Sequence, residues 1–504
     1  MEITAFISDR SGQGVRCGDD ARFGSAADPG SAAIVSEGAP TSTVDGGGVT
    51  TTTVDGPPEP AAVPALDRPA VGGPMRPRRF AVALAGITGL GLAVRVGYVL
   101  IVTVKENTKV YDALWYGVTA NGLAQGQFFR TPFGTAPTAA HPPLTSLILG
   151  AVTLPFGVHR GTGLQRLTMA VLGAGVVLCV GLLGRAVAGP WVGLVAAGLA
   201  ALAPNFWIPN GILMSETPAM LLMALILLGV VRLLRSPTWA NAALLGVACG
   251  AEALVRAEFI LFVPTLLVPA ALAARQVTVR RRFGLAALGV LAVLVVLAPW
   301  VGRNLATFKD PTYISTGDGL ALLGANCPEA YSGQGLGTWH LGCVASPNAK
   351  DESVKSSLDQ HAAIQFAQHH AGRLPVVVLA RIGRLWDFYE PAQMINIDVN
   401  EGRPAPAARA GLVVYYALLP LALAGMVILR RRGLRQWFLL VPAGVLTVVS
   451  ALFYGSVRFR APFEVCLVVL AAPALVVAAR GLGRTVSGIA RTGRHTTGRG
   501  ATGT

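Results

Sequence analysis

The stretch ARQVTVRRRFGLAALGVLAVLVVLAPWVGRN, residues 274–304, decides the fold. It opens on a basic cluster, Arg275 to Arg282, runs from Leu285 to Val301 without a charged residue, and closes on Arg303 and Asn304 just beyond Trp300. An uncharged apolar run of roughly 20 residues is what a helix needs to cross the hydrocarbon core of a bilayer. Lys and Arg in short loops stay on the cytoplasmic side, so the arginines mark the inner end of this run and Trp300 the outer one.

Outward from this stretch the pattern repeats. About ten apolar runs centre near Ala83 to Val102, Leu164 to Leu183, Trp191 to Trp207, Thr217 to Leu234, Ala240 to Leu254, Phe259 to Ala274, Leu285 to Val301, Leu412 to Leu429, Trp437 to Tyr454 and Phe463 to Ala479. Further basic clusters lie at Arg76 to Arg79, at Arg232 and Arg235, at Arg430 to Arg435, and from Arg480 onward. All of them fall inside under one topology, with both termini cytoplasmic. Pro142 to Gly157 is apolar but short and opened by Pro-Pro; a crossing there would put every later basic loop outside, so it is expected to lie in or dip into the outer face. The fold class predicted is all-α, a polytopic transmembrane helical bundle with an outer layer of loops and interfacial helices.

Composition agrees. Of 504 residues 53% are hydrophobic and 13% charged, with a mean hydropathy of +0.56, against about 25% charge in a soluble domain. The net charge of +15 sits where runs end and not on one polar face, which argues against nucleic acid as a partner. Residues 1–78 are Gly, Ser, Thr, Pro, Asp and Ala with hardly an aromatic, the composition of a disordered tail, here cytoplasmic. The membrane domain is expected over 79–482, with an uncleaved anchor from about Ala81, and 483–504 as a second disordered tail whose basic character suits the anionic inner leaflet.

Two long outer loops, about 104–163 and 304–410, concentrate the polar residues. Cys327 and Cys343 fall in the second; outside the membrane they form either a disulfide or two free thiols, and no His or Cys stands nearby at zinc-ligand spacing. His361, His369 and His370 read as surface residues, since adjacent helical positions point in different directions. In the first loop Asp112, Trp115, Tyr116 and Thr119 fall at helical spacing directly after a span. An acid placed there is either ordinary loop polarity or a reactive carboxylate.

An Asp just past the first span, a following Tyr, Ala and Gly pattern, and then His141-Pro142-Pro143-Leu144 resemble the glycosyltransferase-C superfamily. More narrowly they resemble the branch with protein O-mannosyltransferases and the aminoarabinose transferases of lipid A. Met214-Ser215-Glu216-Thr217-Pro218, Leu254 to Glu258, Pro299 to Asn304, Ile314 to Gly317, Gly324 to Asn326 and Arg458 to Pro462 fit the same order on the same side. The resemblance spans about residues 80 to 480; each motif is short, and their order carries it.

The resemblance implies an enzyme of the plasma membrane. It would pass a sugar from a polyprenyl-phosphate donor to a glycan, lipid or protein acceptor, on the outer face, by inverting displacement. Asp112 would be the base for the acceptor proton and Glu216 a second active-site acid. Tyr111, His141, Arg256, Glu258, Arg303, Asn304, Arg458 and Arg460 would serve the donor, the arginines because their planar forks pair with phosphate oxygens. Structural readings stand beside these. Arg256 with Glu258 fits a turn pair, Arg303 an interfacial anchor, and Glu216 a helix-start acid with Ser215 as cap and Pro218 in the first turn. Arg458 and Arg460 oppose the positive-inside trend.

His141 stands where the aminoarabinose branch tends to show Lys, and Tyr111-Asp112 where the O-mannosyltransferases usually show two acids, so the acceptor stays open. A divalent metal ion stays open too, with no ligand set designated. The competing class is a polytopic transporter or flippase, which repeated halves or helices broken at mid-depth would betray; no repeat is visible, and the polar residues lie at one face.

Overall fold

The computed structural model describes residues 70–103, 111–132, 134–344 and 349–496, without the side chains of 111, 160 and 482–496, all within the compact unit Pro64–Thr504. In chain order the main helices are α1 (Pro77–Tyr98, prolonged by a π turn to Thr103), α2 (Tyr111–Ala124), α3 (Leu144–Thr153), α4 (Gly161–Ala188), α5 (Pro190–Leu202), α6 (Glu216–Arg235), α7 (Trp239–Val255), α8 (Val279–Thr307), α9 (Gly317–Ala325), α10 (Glu352–His369), α11 (Leu374–Leu385), α12 (Pro391–Asn400), α13 (Ala405–Arg431), α14 (Trp437–Leu452) and α15 (Ala461–Thr496). Among the described residues there is no strand, only an isolated bridge between Arg130 and Pro137.

Every apolar run of the sequence is helical. Among the described residues six helices are long and apolar enough to cross a membrane: α1, α4, α6, α8, α13 and α15. The run beginning at Trp191 is α5 plus a continuation to Gly211, bent by 71°. Three are shorter: α7, α14 and the irregular segment Ala257–Leu272, where Pro264 and Pro269 each remove a backbone donor and the helix passes through 3₁₀ and π turns. α3 is 10 residues long, about 15 Å against a core of about 30 Å.

The centre of the bundle is α6 and α15, whose apolar windows are 72% and 83% buried, against 22% for α1 and 28% for α13. The outer helices turn side chains such as Val82, Leu294 and Val413 outward, an apolar surface that suits lipid tails. This is a membrane protein. Glycines let the backbones approach: a Cβ on Gly425 of α13 would overlap the Leu470 carbonyl of α15, and one on Gly246 of α7 that of Gly289 in α8.

Pro204 shapes the site from a distance. The residue before it, Ala203, is extended, so α5 ends there with unpaired carbonyls. Arg95 of α1, fully buried, answers them, donating from Nη2 to Ala200 at 2.9 Å and Phe206 at 3.3 Å, and from Nη1 to Gly91 at 2.9 Å and Ala201 at 3.4 Å. The chain then re-enters the bundle at Glu216.

The basic clusters gather at one end. Arg235 donates to the Ala186 carbonyl, Gln276 to Leu234, and Arg281 to Pro237, while Arg480 lies over Trp191. The starts of α6 and α15 and the end of α7 lie at the other, below a layer built from α9 to α12. Cys327 and Cys343 form a disulfide in that layer, with Cα atoms 6.2 Å apart. Buried Arg381 fastens the layer to the bundle, reaching the carbonyls of Ala325, Ala451 and Leu452.

Two boundaries differ from those drawn on composition. α13 begins at Ala405, where Pro404 sets the entry, and not near 410. α15 stays helical to Thr496, beyond the tail boundary expected at 483, because an established helix propagates at little cost per residue. Most of the expected N-terminal tail and residues 104–110 of the first loop lie outside the described residues.

Candidate active site

Asp112 lies in the first turn of α2, where the helix dipole favours a carboxylate. Its Oδ2 accepts a hydrogen bond from Arg458 Nη2 at 2.6 Å, and its Oδ1 is 4.0 Å from His141 Nε2. Arg458 comes from the 3₁₀ turn Val457–Arg460 that opens α15, 346 residues along the chain. The same guanidinium reaches two more acids: Nε lies 3.3 Å from Glu216 Oε1 and Nη1 3.2 Å from Glu401 Oε1. A second arginine, Arg403, backs this group, 3.8 Å from Glu216, 3.8 Å from Glu401 and 2.6 Å from Asp398. Arg256 closes the side toward α7, paired with Glu258 at 2.7 Å and lying over the Phe459 ring at 4.7 Å.

The charge states follow from these neighbours. Burial works against the Asp112 carboxylate, but the Arg458 guanidinium and His141 outweigh it and hold the carboxyl below its usual range. His141 is packed against Tyr116 and Trp115, and burial pushes its imidazole below its ordinary value despite Asp112 beside it. Burial likewise pushes the Tyr116 phenol up; it hydrogen-bonds Ser215. Asp398 is raised to about 6 by burial, with Arg403 opposing. The site thus presents an ionised carboxylate, a neutral imidazole and arginines that are all engaged.

Beneath lies a cavity of about 50 Å³ lined by Arg403, Arg458, Arg460, Asp387, Asp398 and Glu464 among others. Arg460 is held there between Asp387 and Glu464, at 3.0 Å each, with its guanidinium 3.5 Å over the Tyr415 ring. Asn205, just past the break in α5, donates to Glu464. Asp387 adopts a left-handed backbone (φ 58°), strain that this packing sustains.

Of the residues expected at a site, the structure brings Asp112, His141, Glu216, Arg256, Glu258 and Arg458 together and places Arg460 directly below. Tyr111 begins α2, and its side chain lies outside the described residues. Arg303 and Asn304 are engaged elsewhere: Arg303 Nη1 donates to the Thr138 carbonyl at 3.0 Å and to Asn304 at 2.9 Å, and Nη2 to Phe129 at 3.3 Å, while buried Asn304 donates to Tyr313. Ser215 occupies the N-cap position of α6 without a capping bond; its hydroxyl is turned to Tyr116. Asp398, Glu401, Arg403 and Tyr454 belong to the cluster and were not anticipated. The first three carried a signal, a run of three charges from Asp398 to Arg403 directly before an apolar stretch.

Among the described residues, one group of three metal-type side chains brings its ligand atoms within 4.8 Å of one another: Cys327, Glu329 and Cys343. Both of its sulfurs are in the disulfide and offer no thiolate. The acids around Arg458 face arginines.

The fold and the site define a polytopic membrane protein with an acid-arginine cluster at the end opposite Arg232, Arg235 and Arg281. Residues 140–302, which hold His141, Glu216, Arg256 and Glu258, match the family described as dolichyl-phosphate-mannose-protein mannosyltransferase. The match covers about a third of the chain. No curated protein matches the chain in sequence. Among solved structures, an oligosaccharyltransferase of Archaeoglobus fulgidus in the apo form is 16% identical with a TM-score of 0.49, over 82% of this chain and 52% of that one. The chain therefore spans about half the length of the archaeal protein. The S. cerevisiae protein O-mannosyltransferase Pmt1-Pmt2 complex bound to the sugar donor is 16% identical with a TM-score of 0.39, over 51% of this chain and 37% of that one. ArnT from Cupriavidus metallidurans bound to undecaprenyl phosphate is 17% identical with a TM-score of 0.36, over 81% of this chain and 79% of that one.

Proposed function

We propose that this chain transfers a sugar from a polyprenyl-phosphate donor to an acceptor hydroxyl of a cell-envelope glycan, lipid or protein, with inversion at the anomeric carbon. One observation carries the reading: the ionised carboxylate of Asp112, at the mouth of the cluster, sits 2.6 Å from a guanidinium that can receive a phosphate. Asp112 takes the acceptor proton as the new glycosidic bond forms. Arg458, with Arg256 beside it, stabilises the negative charge that grows on the departing phosphate. Neutral His141 can hydrogen-bond the donor without adding charge. Glu216 and Glu401 fix Arg458 in place. Tyr111, at the start of α2, is assigned to the donor side of the same site.

The outer-face location rests on charge. α6 runs from Glu216 in the cluster to Arg232 and Arg235 at its other end, where Arg235 meets the Ala186 carbonyl and Arg281 that of Pro237. With those arginines cytoplasmic, both termini are inside and the cluster opens outward.

The test is transfer of radiolabelled sugar from a panel of polyprenyl-phosphate sugars in membranes, comparing the unaltered chain with Asp112→Asn at matched protein level. Loss of transfer on the order of 10²- to 10⁴-fold is expected when a general base is removed. Full activity in Asp112→Asn would take Asp112 out of the mechanism, and no transfer from any donor by a correctly inserted chain would favour a transporter.

A further inference from the structure

We infer that Asp112 and the donor phosphate compete for one edge of Arg458, so that docking of the donor is what releases the base. The inference rests on the donor class proposed above. Its ground is the occupancy of the guanidinium. Nη2, Nε and Nη1 each face a different carboxylate, those of Asp112, Glu216 and Glu401, at 2.6, 3.3 and 3.2 Å. Nη2 and Nη1 donate to Asp112 and Glu401, and Nε, without a hydrogen bond of its own, is buried against Glu216. Asp112 is the most exposed of the three acids, so a phosphate arriving from outside the cluster meets the Nη2 edge and takes the place of Asp112 there.

The three partners are not equivalent. Glu216 is 1% exposed and Glu401 18%. Both also face Arg403, each at 3.8 Å. Leaving would strand a charge against two arginines, so these acids act as fixed legs that hold the guanidinium. Asp112 is 29% exposed, and the other side chain within ion-pair distance of it is His141. It is the leg that an incoming anion can replace like for like.

The exchange orders the reaction. While Asp112 is bound to Arg458 its Oδ2 is committed and its charge is balanced, which makes it a weaker acceptor for a hydroxyl proton. Once phosphate occupies Nη2, Asp112 is freed beside the sugar. The acceptor O–H proton then passes to Asp112 as the acceptor oxygen bonds the anomeric carbon, and the phosphate leaves with the electron pair of the broken C–O bond, facing Arg458. Without donor, water at the site meets a masked base.

The measurement is binding of undecaprenyl phosphate, carrying no sugar, to the full chain in detergent. If Asp112 is a competitor, Asp112→Asn binds this lipid about tenfold tighter than the unaltered chain. In the unaltered chain, carbodiimide labelling of Asp112, read by peptide mass spectrometry at fixed pH, rises several-fold when the lipid saturates. Equal or weaker binding by Asp112→Asn, or labelling that the lipid does not change, overturns the competition while leaving the donor class standing. If undecaprenyl phosphate binds neither protein, the donor class falls and this inference with it. Should Asp112→Asn fail to fold, the labelling of the unaltered chain decides alone.

Discussion

Arg303 and Arg458 look alike in the sequence: each stands at one end of an apolar helix, within reach of an aromatic ring, Trp300 in one case and Phe459 in the other. What accepts their hydrogen bonds separates them. Arg303 spends its fork on the Phe129 and Thr138 carbonyls and the Asn304 amide. Arg458 faces three carboxylates. A carbonyl is a neutral dipole with no anion to take its place, so an arginine among carbonyls fastens backbone. A carboxylate is an anion, and another anion can replace it. Position in the membrane does not reveal the role of an outer arginine; the chemistry of its acceptors does.

The comparison breaks most visibly on substitution. Arg458→Gln is expected to lower kcat/KM for transfer by about 10³-fold, roughly 4 kcal/mol, the range seen when one electrostatic donor to a transition state is removed. Arg303→Gln is expected to leave transfer per folded molecule within about threefold, because it loses fastening and not charge stabilisation. Transfer assays normalised to folded protein separate the two. Abolished transfer in Arg303→Gln at unchanged thermal stability would erase the distinction.

The stability effects run the other way. Arg95 belongs with Arg303, since all four of its acceptors are carbonyls, and it lies fully inside the bundle. Arg95→Met removes the groups that satisfy the broken end of α5 and is expected to cost about 3 kcal/mol, against about 2 kcal/mol for the half-exposed Arg303→Gln. Unfolding in detergent measures both. An Arg95→Met protein as stable as the unaltered chain would mean that the carbonyls near Ala200 find other partners.

The same physics explains what the sequence made legible. Long apolar runs report helices directly, because burial in lipid demands them, and each run is a helix here. Asp112, Glu216, Arg256 and Arg458 were readable as polar groups at span ends on one side, and the folded bundle brings those ends together. Arg303 was not separable from them, because its partners Phe129 and Thr138 lie 174 and 165 residues away in sequence. The run Asp398 to Arg403 stands out by no motif within the long loop 304–410, and its role appears only when α12 and α13 fold it over Glu216. Arg95 carried a signal that went unused: a charge in the middle of an apolar run persists only with partners.

Asp398 sharpens the comparison from the acid side. It faces Arg403 at 2.6 Å, as Asp112 faces Arg458, yet burial outweighs its arginine and lifts its carboxyl from the ordinary 3.8 to about 6. The folded protein therefore holds a proton on Asp398 that the unfolded chain has released. The stability this gives is complete below about pH 4 and is lost as pH rises to about 6. Asp112, held below its usual range, works in the opposite sense, its contribution being lost as pH falls through its folded value. The stability of the unaltered chain minus that of Asp398→Asn should consequently decline by an amount on the order of 1–3 kcal/mol between about pH 4 and pH 6, a span in which other acids cancel in the difference. Chemical unfolding in detergent at both pH values measures it. A difference that grows with pH instead would mean that Arg403 outranks burial, and Asp398 would then be an ionised partner of the same kind as Asp112, open to exchange with an anion.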